Sequence, residues 1–220
     1  VPWSGYINGF PIHVDISYLG GFLGPRWLST EQLNMVMHLI HLELVKKGCN
    51  DVKIIKETTM FHQKLLEAYH AQRTSIDALD TYTNANHYRW IRDSCQALQT
   101  GQYEQLAFLV NLNDNHWVSV VINGHTDTIF YGDSLGSDVD PTLRDALRWW
   151  THLHTGRDFV FEELPITRQT DGHSCGLMAC NAIEAWVLHK PAIYIDPDCA
   201  LEERLRMFVR IVQRHFEEVR

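Results

Sequence analysis

Leu106-Ala107-Phe108-Leu109-Val110, Trp117-Val118-Ser119-Val120-Val121-Ile122 and Thr128-Ile129-Phe130-Tyr131 are three β-branched and aromatic runs, separated by Asn113-Asp114-Asn115 and Asn123-Gly124-His125. Runs of this length between Asn, Asp and Gly turn residues read as consecutive strands, so the middle of the chain predicts a mainly antiparallel central sheet. Toward the C-terminus, 141–154 carries Leu143, Leu147 and Trp150 on one helical face, and 159–164 reads as a further strand. Residues 174–188 are apolar nearly all round, interrupted only by Asn181 and Glu184, the mark of a helix buried in a core. Lys190-Pro191 ends that helix, and an amphipathic helix follows over about 200–217.

Toward the N-terminus, Ser29-Thr30-Glu31-Gln32 offers a capping box of Ser29 with Gln32 ahead of Leu33, Val36, Met37, Ile40 and Leu44 at helical spacing. Gly48-Cys49-Asn50 stops that helix; Val52-Lys53-Ile54-Ile55 is a short strand, and Phe61, Leu65, Leu66 and Tyr69 mark another helix. Residues 71–100 are polar and weakly periodic, with a helix expected over about 85–98. The first 28 residues, rich in Gly, Pro and aromatics, predict irregular structure or short strands. With no repeat and no linker, α and β segments share one core, an α+β domain spanning 1–220 with helices flanking the sheet.

Composition narrows the function. The 220 residues are 45% hydrophobic and 21% charged, an ordinary globular balance. Nineteen Lys and Arg against 27 Asp and Glu leave a net charge of −8 with no basic run, which argues against nucleic-acid binding. No stretch approaches the ~20 apolar residues that span a bilayer, so no membrane partner is expected. The start, Val1-Pro2-Trp3-Ser4-Gly5, lacks the features of a signal peptide and an initiator Met, and reads as a piece cut from a longer protein. Five widely spaced cysteines, without a CxxC pair, indicate a reduced intracellular chain of the cytoplasm or nucleus. His152-Leu153-His154 has no second ligand pair at zinc spacing, so no metal is expected.

The reactive residues fall at element ends, where a rigid scaffold exposes functional side chains. Asn115-His116-Trp117 opens one strand, Gly132-Asp133-Ser134 closes the next, and Gln169-Thr170-Asp171-Gly172-His173-Ser174-Cys175-Gly176 leads into the buried helix. A cysteine in a helix's first turn meets the positive end of the macrodipole and unpaired N–H groups, the setting that stabilises a nucleophilic thiolate. Cys175 meets that condition, although alone it also reads as a small buried hydrophobe. His116 and Asp133, on adjacent strands, suit an imidazole held by a carboxylate, the Cys–His–Asp logic of acyl transfer; separately they read as a strand-edge residue and a turn residue.

In this order and at these separations, Asn115-His116-Trp117, Gly132-Asp133-Ser134-Leu135 and Gln169-x5-Cys175-Gly176 resemble the ubiquitin-like-protein-specific cysteine proteases, the SUMO-protease group of clan CE. Trp27-Leu28, ahead of the first helix, also matches. The resemblance implies a papain-like cysteine proteinase fold with the catalytic Cys at a buried helix N-terminus, and no metal or organic cofactor. It implies Cys175 as nucleophile, His116 as general base, Asp133 as its orienting residue and Gln169 as an oxyanion donor. Trp27 and Trp117 become the walls of a tunnel that accepts only the Gly-Gly tail of a modifier. The implied partner is SUMO, ubiquitin or a relative, together with its conjugates, and the implied reaction is maturation of its precursor or its release from lysine isopeptides. Two positions depart from the group's pattern: Ser174 replaces the usual acidic residue before the Cys and is a candidate helix N-cap, and Thr30 stands where SUMO-specific members carry an Asp.

Other readings compete. Gly132-Asp133-Ser134-Leu135 spells a lipase and esterase block, but no Asp-x-x-His follows it. Clan CE acetyltransferase effectors share the His, acid, Cys order and are distinguished by acetyl-coenzyme A binding. A modifier-binding module without turnover is the non-enzymatic alternative.

Overall fold

The computed structural model describes residues 2–74, 77–189 and 196–219. The chain opens with a two-stranded antiparallel ribbon, β1 (Tyr6–Ile7) and β2 (Val14–Asp15), and a 3-10 stretch over Ile16–Leu23. Helix α1 (Thr30–Lys47) follows, then β3 (Val52–Ile54) and α2 (Thr58–Thr74). Next come α3 (Ala78–Asn84), a 3-10 turn at Asn86–Tyr88 and α4 (Arg89–Gln99). The predicted meander is β4 (Gln105–Leu112), β5 (His116–Asn123) and β6 (Thr128–Gly132). Helix α5 (Pro141–Thr155), β7 (Val160–Glu163), α6 (Cys175–Val187) and α7 (Ala200–Glu218) complete the order.

The main sheet has the order β3-β4-β5-β6-β7. Its centre is the expected antiparallel meander; the edge strands β3 and β7 pair parallel to β4 and β6, so the sheet is mixed. Both faces are covered, which explains why the strands read as unbroken apolar runs rather than alternating ones. Leu106, Phe108, Val110, Val118, Val120 and Ile122 pack with residues of α2, α4 and α5. On the opposite face Ala107, Leu109, Trp117 and Val121 pack with α1, α6 and α7. Glu184, the acidic interruption of α6, is buried and paired with Arg210 of α7 at 3.1 Å. The N-terminal segment is tied to α7: the Trp3 ring stacks on His215 at 4.0 Å and the Asn8 N–H donates to His215 Nδ1 at 2.9 Å.

The weakly periodic stretch departs most from expectation. The helix expected from residue 85 begins at Arg89 after a 3-10 turn, and α3 forms ahead of it. Among the described side chains of α3 only Tyr82 is buried, with its hydroxyl 3.1 Å from Trp150 Nε1 and 2.7 Å from His154 Nε2 of α5, while Arg92 of α4 donates to the Tyr82 carbonyl. A helix with a tyrosine as its one buried residue among those described leaves little apolar periodicity to read. The expected stop of α6 at Lys190-Pro191 lies outside the described residues. Among the described residues no helix is long and apolar enough to cross a membrane.

Candidate active site

β5 and β6 are antiparallel neighbours, so the first residue of β5 and the residue leaving β6 stand at the same end of the sheet. Those residues are His116 and Asp133. The turn before β5 places Asn113 and Asp114 in the left-handed region, at φ 52° and 56°, a conformation that Asn and Asp tolerate best among residues with a side chain. His116 Nε2–H donates to Asp133 Oδ1 at 2.7 Å, and the Leu135 N–H donates to the same oxygen at 2.7 Å. The imidazole Nδ1 is left for other partners.

The electrostatics of the pair follow from these bonds. The hydrogen bond to Asp133, then that to the Cys175 side chain, outweighs burial and raises the His116 pKa to about 9. Burial pushes the Asp133 carboxyl up, but the bonds from His116 and Leu135 more than offset it and hold it below its ordinary range. An imidazole near 9 keeps its proton at neutral pH, held by the Asp133 carboxylate at 2.7 Å and favoured further by the Cys175 side chain.

Cys175 is the first residue of α6 and is buried. Gly176 lets this turn approach its neighbours: a Cβ there would lie 3.0 Å from Leu33 Cδ1 and 3.3 Å from Trp117 Cδ1. Ser174 occupies the N-cap position, yet its side chain caps nothing. Its hydroxyl instead donates to Asp171 Oδ2 at 2.7 Å, while Asp171 Oδ1 accepts the N–H groups of His173 and Ser174, each at 2.8 Å. The Ser174 cap expected from the sequence does not form: Asp171, outside the helix, takes the loop N–H groups of His173 and Ser174 and the Ser174 hydroxyl proton, and the first N–H groups of α6 keep no side-chain acceptor at the N-cap.

Gln169 lies beside the Asp133 turn. Its Oε1 accepts the Ser134 hydroxyl at 2.6 Å, its Nε2 donates to the Asp171 carbonyl at 2.6 Å, and its own N–H donates to the Ser134 carbonyl at 3.0 Å. An amide nitrogen carries two protons, so a second donor is left for a ligand. The two tryptophans meet the chain on either side of Cys175, at Gly172 and Gly176. Trp27 is 47% exposed and its indole N–H donates to the Gly172 carbonyl. Trp117 is 3% exposed, with its indole N–H 3.2 Å from the Leu28 carbonyl and its ring against Gly176. The structure thus brings His116, Asp133 and Cys175 together, sets Gln169 between their loops, and places Trp27 at the surface and Trp117 beneath it.

Several residues at the site escaped the sequence reading. Asp171 had a signal in Asp171-Gly172, a turn dipeptide shortly before a helix. Arg204 of α7 is 1% exposed and donates to the His173 carbonyl at 2.9 Å. Its signal was position: Ala200, Arg204, Met207 and Ile211 form the buried stripe of an amphipathic helix, where an arginine is out of place unless it has partners. Arg168 donates to the Asp133 carbonyl and to Glu163 Oε1, and had no signal in the sequence.

A buried thiol at a helix N-terminus, a protonated imidazole, a carboxylate that orients it and an amide beside them can carry out acyl transfer through a thioester. No curated protein matches the chain by sequence. Solved structures share its fold. The C-terminal Ulp1 protease domain in complex with Smt3, the yeast ortholog of SUMO, is 18% identical, with a TM-score of 0.72 over 97% of this chain and 90% of that one. The catalytic domain of a Chaetomium thermophilum Ulp1-like SUMO protease is 16% identical, with a TM-score of 0.56 over 95% and 76%. The Xanthomonas campestris effector XopD bound to ubiquitin is 17% identical, with a TM-score of 0.53 over 86% and 92%. Residues 26–211, from just before Trp27 to the buried face of α7, match the C-terminal catalytic domain of the Ulp1 protease family, and the chain belongs to that family of cysteine peptidases.

Proposed function

We propose that this peptidase hydrolyses the bond after the C-terminal Gly-Gly of a ubiquitin-like modifier, either maturing its precursor or releasing it from lysine. The observation that carries this reading is the His116–Asp133 pair, 2.7 Å apart, at the sheet end that meets the Cys175 helix. Cys175 yields its thiol proton to His116, the resulting thiolate Sγ attacks the glycine carbonyl carbon, and the carbonyl electrons move onto oxygen. The Cys175 backbone N–H and the second Gln169 Nε2–H receive that oxyanion; such a donor contributes roughly 3 kcal/mol to the barrier reduction. The tetrahedral species collapses, the C–N bond breaks, and His116 gives its proton to the leaving amine. Water then attacks the thioester; His116 takes its proton, the C–S bond breaks, and the modifier leaves with a free carboxylate.

Trp27 and Trp117 serve as walls that reject any side chain at the two glycines. Their contacts with Gly172 and Gly176, on either side of Cys175, support this role. The fold's occurrence in proteins bound to Smt3 and to ubiquitin supports a modifier of that class. The cysteines at 49, 95, 175, 180 and 199 are all unpaired, which supports action in a reducing compartment, the cytoplasm or nucleus.

The test is a panel of ubiquitin-like modifiers with a C-terminal electrophile, offered to the wild type and to Cys175→Ser. Covalent attachment of at least one modifier, lost in the variant, is expected. Attachment of none, with acetyl transfer from acetyl-coenzyme A instead, overturns the reading.

A further inference from the structure

An oxyanion donor must present nitrogen rather than oxygen, and a glutamine amide can be turned either way about its last torsion. In this chain both ends of the Gln169 amide are occupied. The Asp171 carbonyl can only accept, so its 2.6 Å contact fixes Nε2 on that side. Oε1 is then left to accept the Ser134 hydroxyl at 2.6 Å. Ser134 is 1% exposed, and its carbonyl accepts the Gln169 N–H at 3.0 Å, so backbone and side chain are held by one residue.

Ser134 directly follows Asp133. The turn that carries both is braced twice: the Gly136 N–H donates to the Asp133 carbonyl at 3.0 Å, and Arg168 donates to that same carbonyl. Gly136 sits at φ +80°, and a Cβ there would lie 3.1 Å from Arg168 Nη1, so the brace needs glycine. Turn 133–136 therefore presents the carboxylate that orients His116 and the hydroxyl that holds Gln169.

We propose that Ser134 is a positioning residue for the oxyanion donor: its hydroxyl locks the Gln169 amide and makes turn 133–136 a common mount for both halves of the catalytic apparatus. The inference rests on Gln169 acting as the oxyanion donor. Substrate binding does not require the lock; the transition state does.

A double-mutant cycle tests it, with a modifier carrying a C-terminal fluorogenic amide as substrate. Ser134→Ala is expected to lower kcat about tenfold with KM unchanged, the loss of one well-placed hydrogen bond. In a Gln169→Ala background the same change should have no further effect, and the His116 ring titration should not move. Full kcat in Ser134→Ala, or a loss that multiplies that of Gln169→Ala, overturns the proposal. Side-chain amide NMR of Gln169 in Cys175→Ala protein reads the lock without turnover. The two N–H chemical shifts, set by the short bonds of the amide to Ser134 and Asp171, should move toward those of a free glutamine amide on adding Ser134→Ala, and shifts that stay unchanged overturn the inference. A wild type that cleaves no modifier substrate counts against the Gly-Gly reading, while the amide signals still decide the role of Ser134.

Discussion

Helices α1 and α6 both begin after a Ser at the N-cap, and the two ends are built in opposite ways. At α1 the Gln32 Oε1 accepts the Ser29 N–H at 2.6 Å and the Ser29 hydroxyl oxygen accepts the Gln32 N–H, a closed capping box. Gln32 Nε2 also donates to the Tyr18 carbonyl at 2.6 Å, tying the helix to the N-terminal segment. At α6 the polar atoms hold the preceding loop: Asp171 takes the loop protons, Arg204 the His173 carbonyl and Trp27 the Gly172 carbonyl. The first N–H groups of a helix have no acceptor within it, and at α6 no side chain of the N-cap covers them. A closed end stabilises a helix; an open end held from outside leaves donors and a positive potential facing a sulfur.

The contrast can be broken most sharply at the two glutamines. Gln169→Ala should lower kcat by about 10²–10³ with little change in KM. Gln32→Ala should cost stability and leave kcat untouched, and an equal kcat loss there would erase the distinction. Next in size is the His116–Asp133 pair, whose effect is visible in pH. Folding raises the His116 pKa to about 9 through Asp133, so the associated stability is complete below the unfolded value of ~6.5 and is lost as pH rises through about 9. In Asp133→Asn the ring should titrate more than a unit lower by NMR. The gap in unfolding free energy between wild type and variant should narrow by roughly 2–3 kcal/mol between pH 6 and pH 10. A constant gap would detach Asp133 from the imidazole.

Two smaller effects compare the caps directly. Asp171→Ala removes three hydrogen bonds at the α6 loop and should cost about 2 kcal/mol in denaturant unfolding, together with a fall in kcat. Ser29→Ala should cost about 1 kcal/mol and leave kcat alone. Equal kinetic behaviour of the two variants would mean that the α6 loop is only structural.

Much of this was legible in the chain because the signals are local. The meander follows from apolar runs bounded by Asn113-Asp114-Asn115 and Asn123-Gly124-His125, and the α1 start follows from Ser29 and Gln32, three residues apart. His116, Asp133 and Cys175 stand at element ends that periodicity locates, whereas Gln169 lies within the loop between β7 and α6. Helix α3 was not legible, because among its described side chains only Tyr82 is buried, and one apolar residue makes no periodicity. The parallel pairing of β3 and β7 was hidden too, since strand direction at a sheet edge depends on crossovers rather than on the strand's own residues.

The sequence by itself determined the sheet meander, the helices other than α3 and which residue types stand at their ends, since turn chemistry, capping and apolar periodicity act over a few residues. Only the tertiary structure decided that Arg204 reaches the α6 loop from α7 and that Ser134 bonds Gln169 across 35 positions of chain. Those contacts join segments whose mutual approach is set by packing of helices on the two faces of the sheet, and hydrogen-bond partners that distant leave no spacing to read.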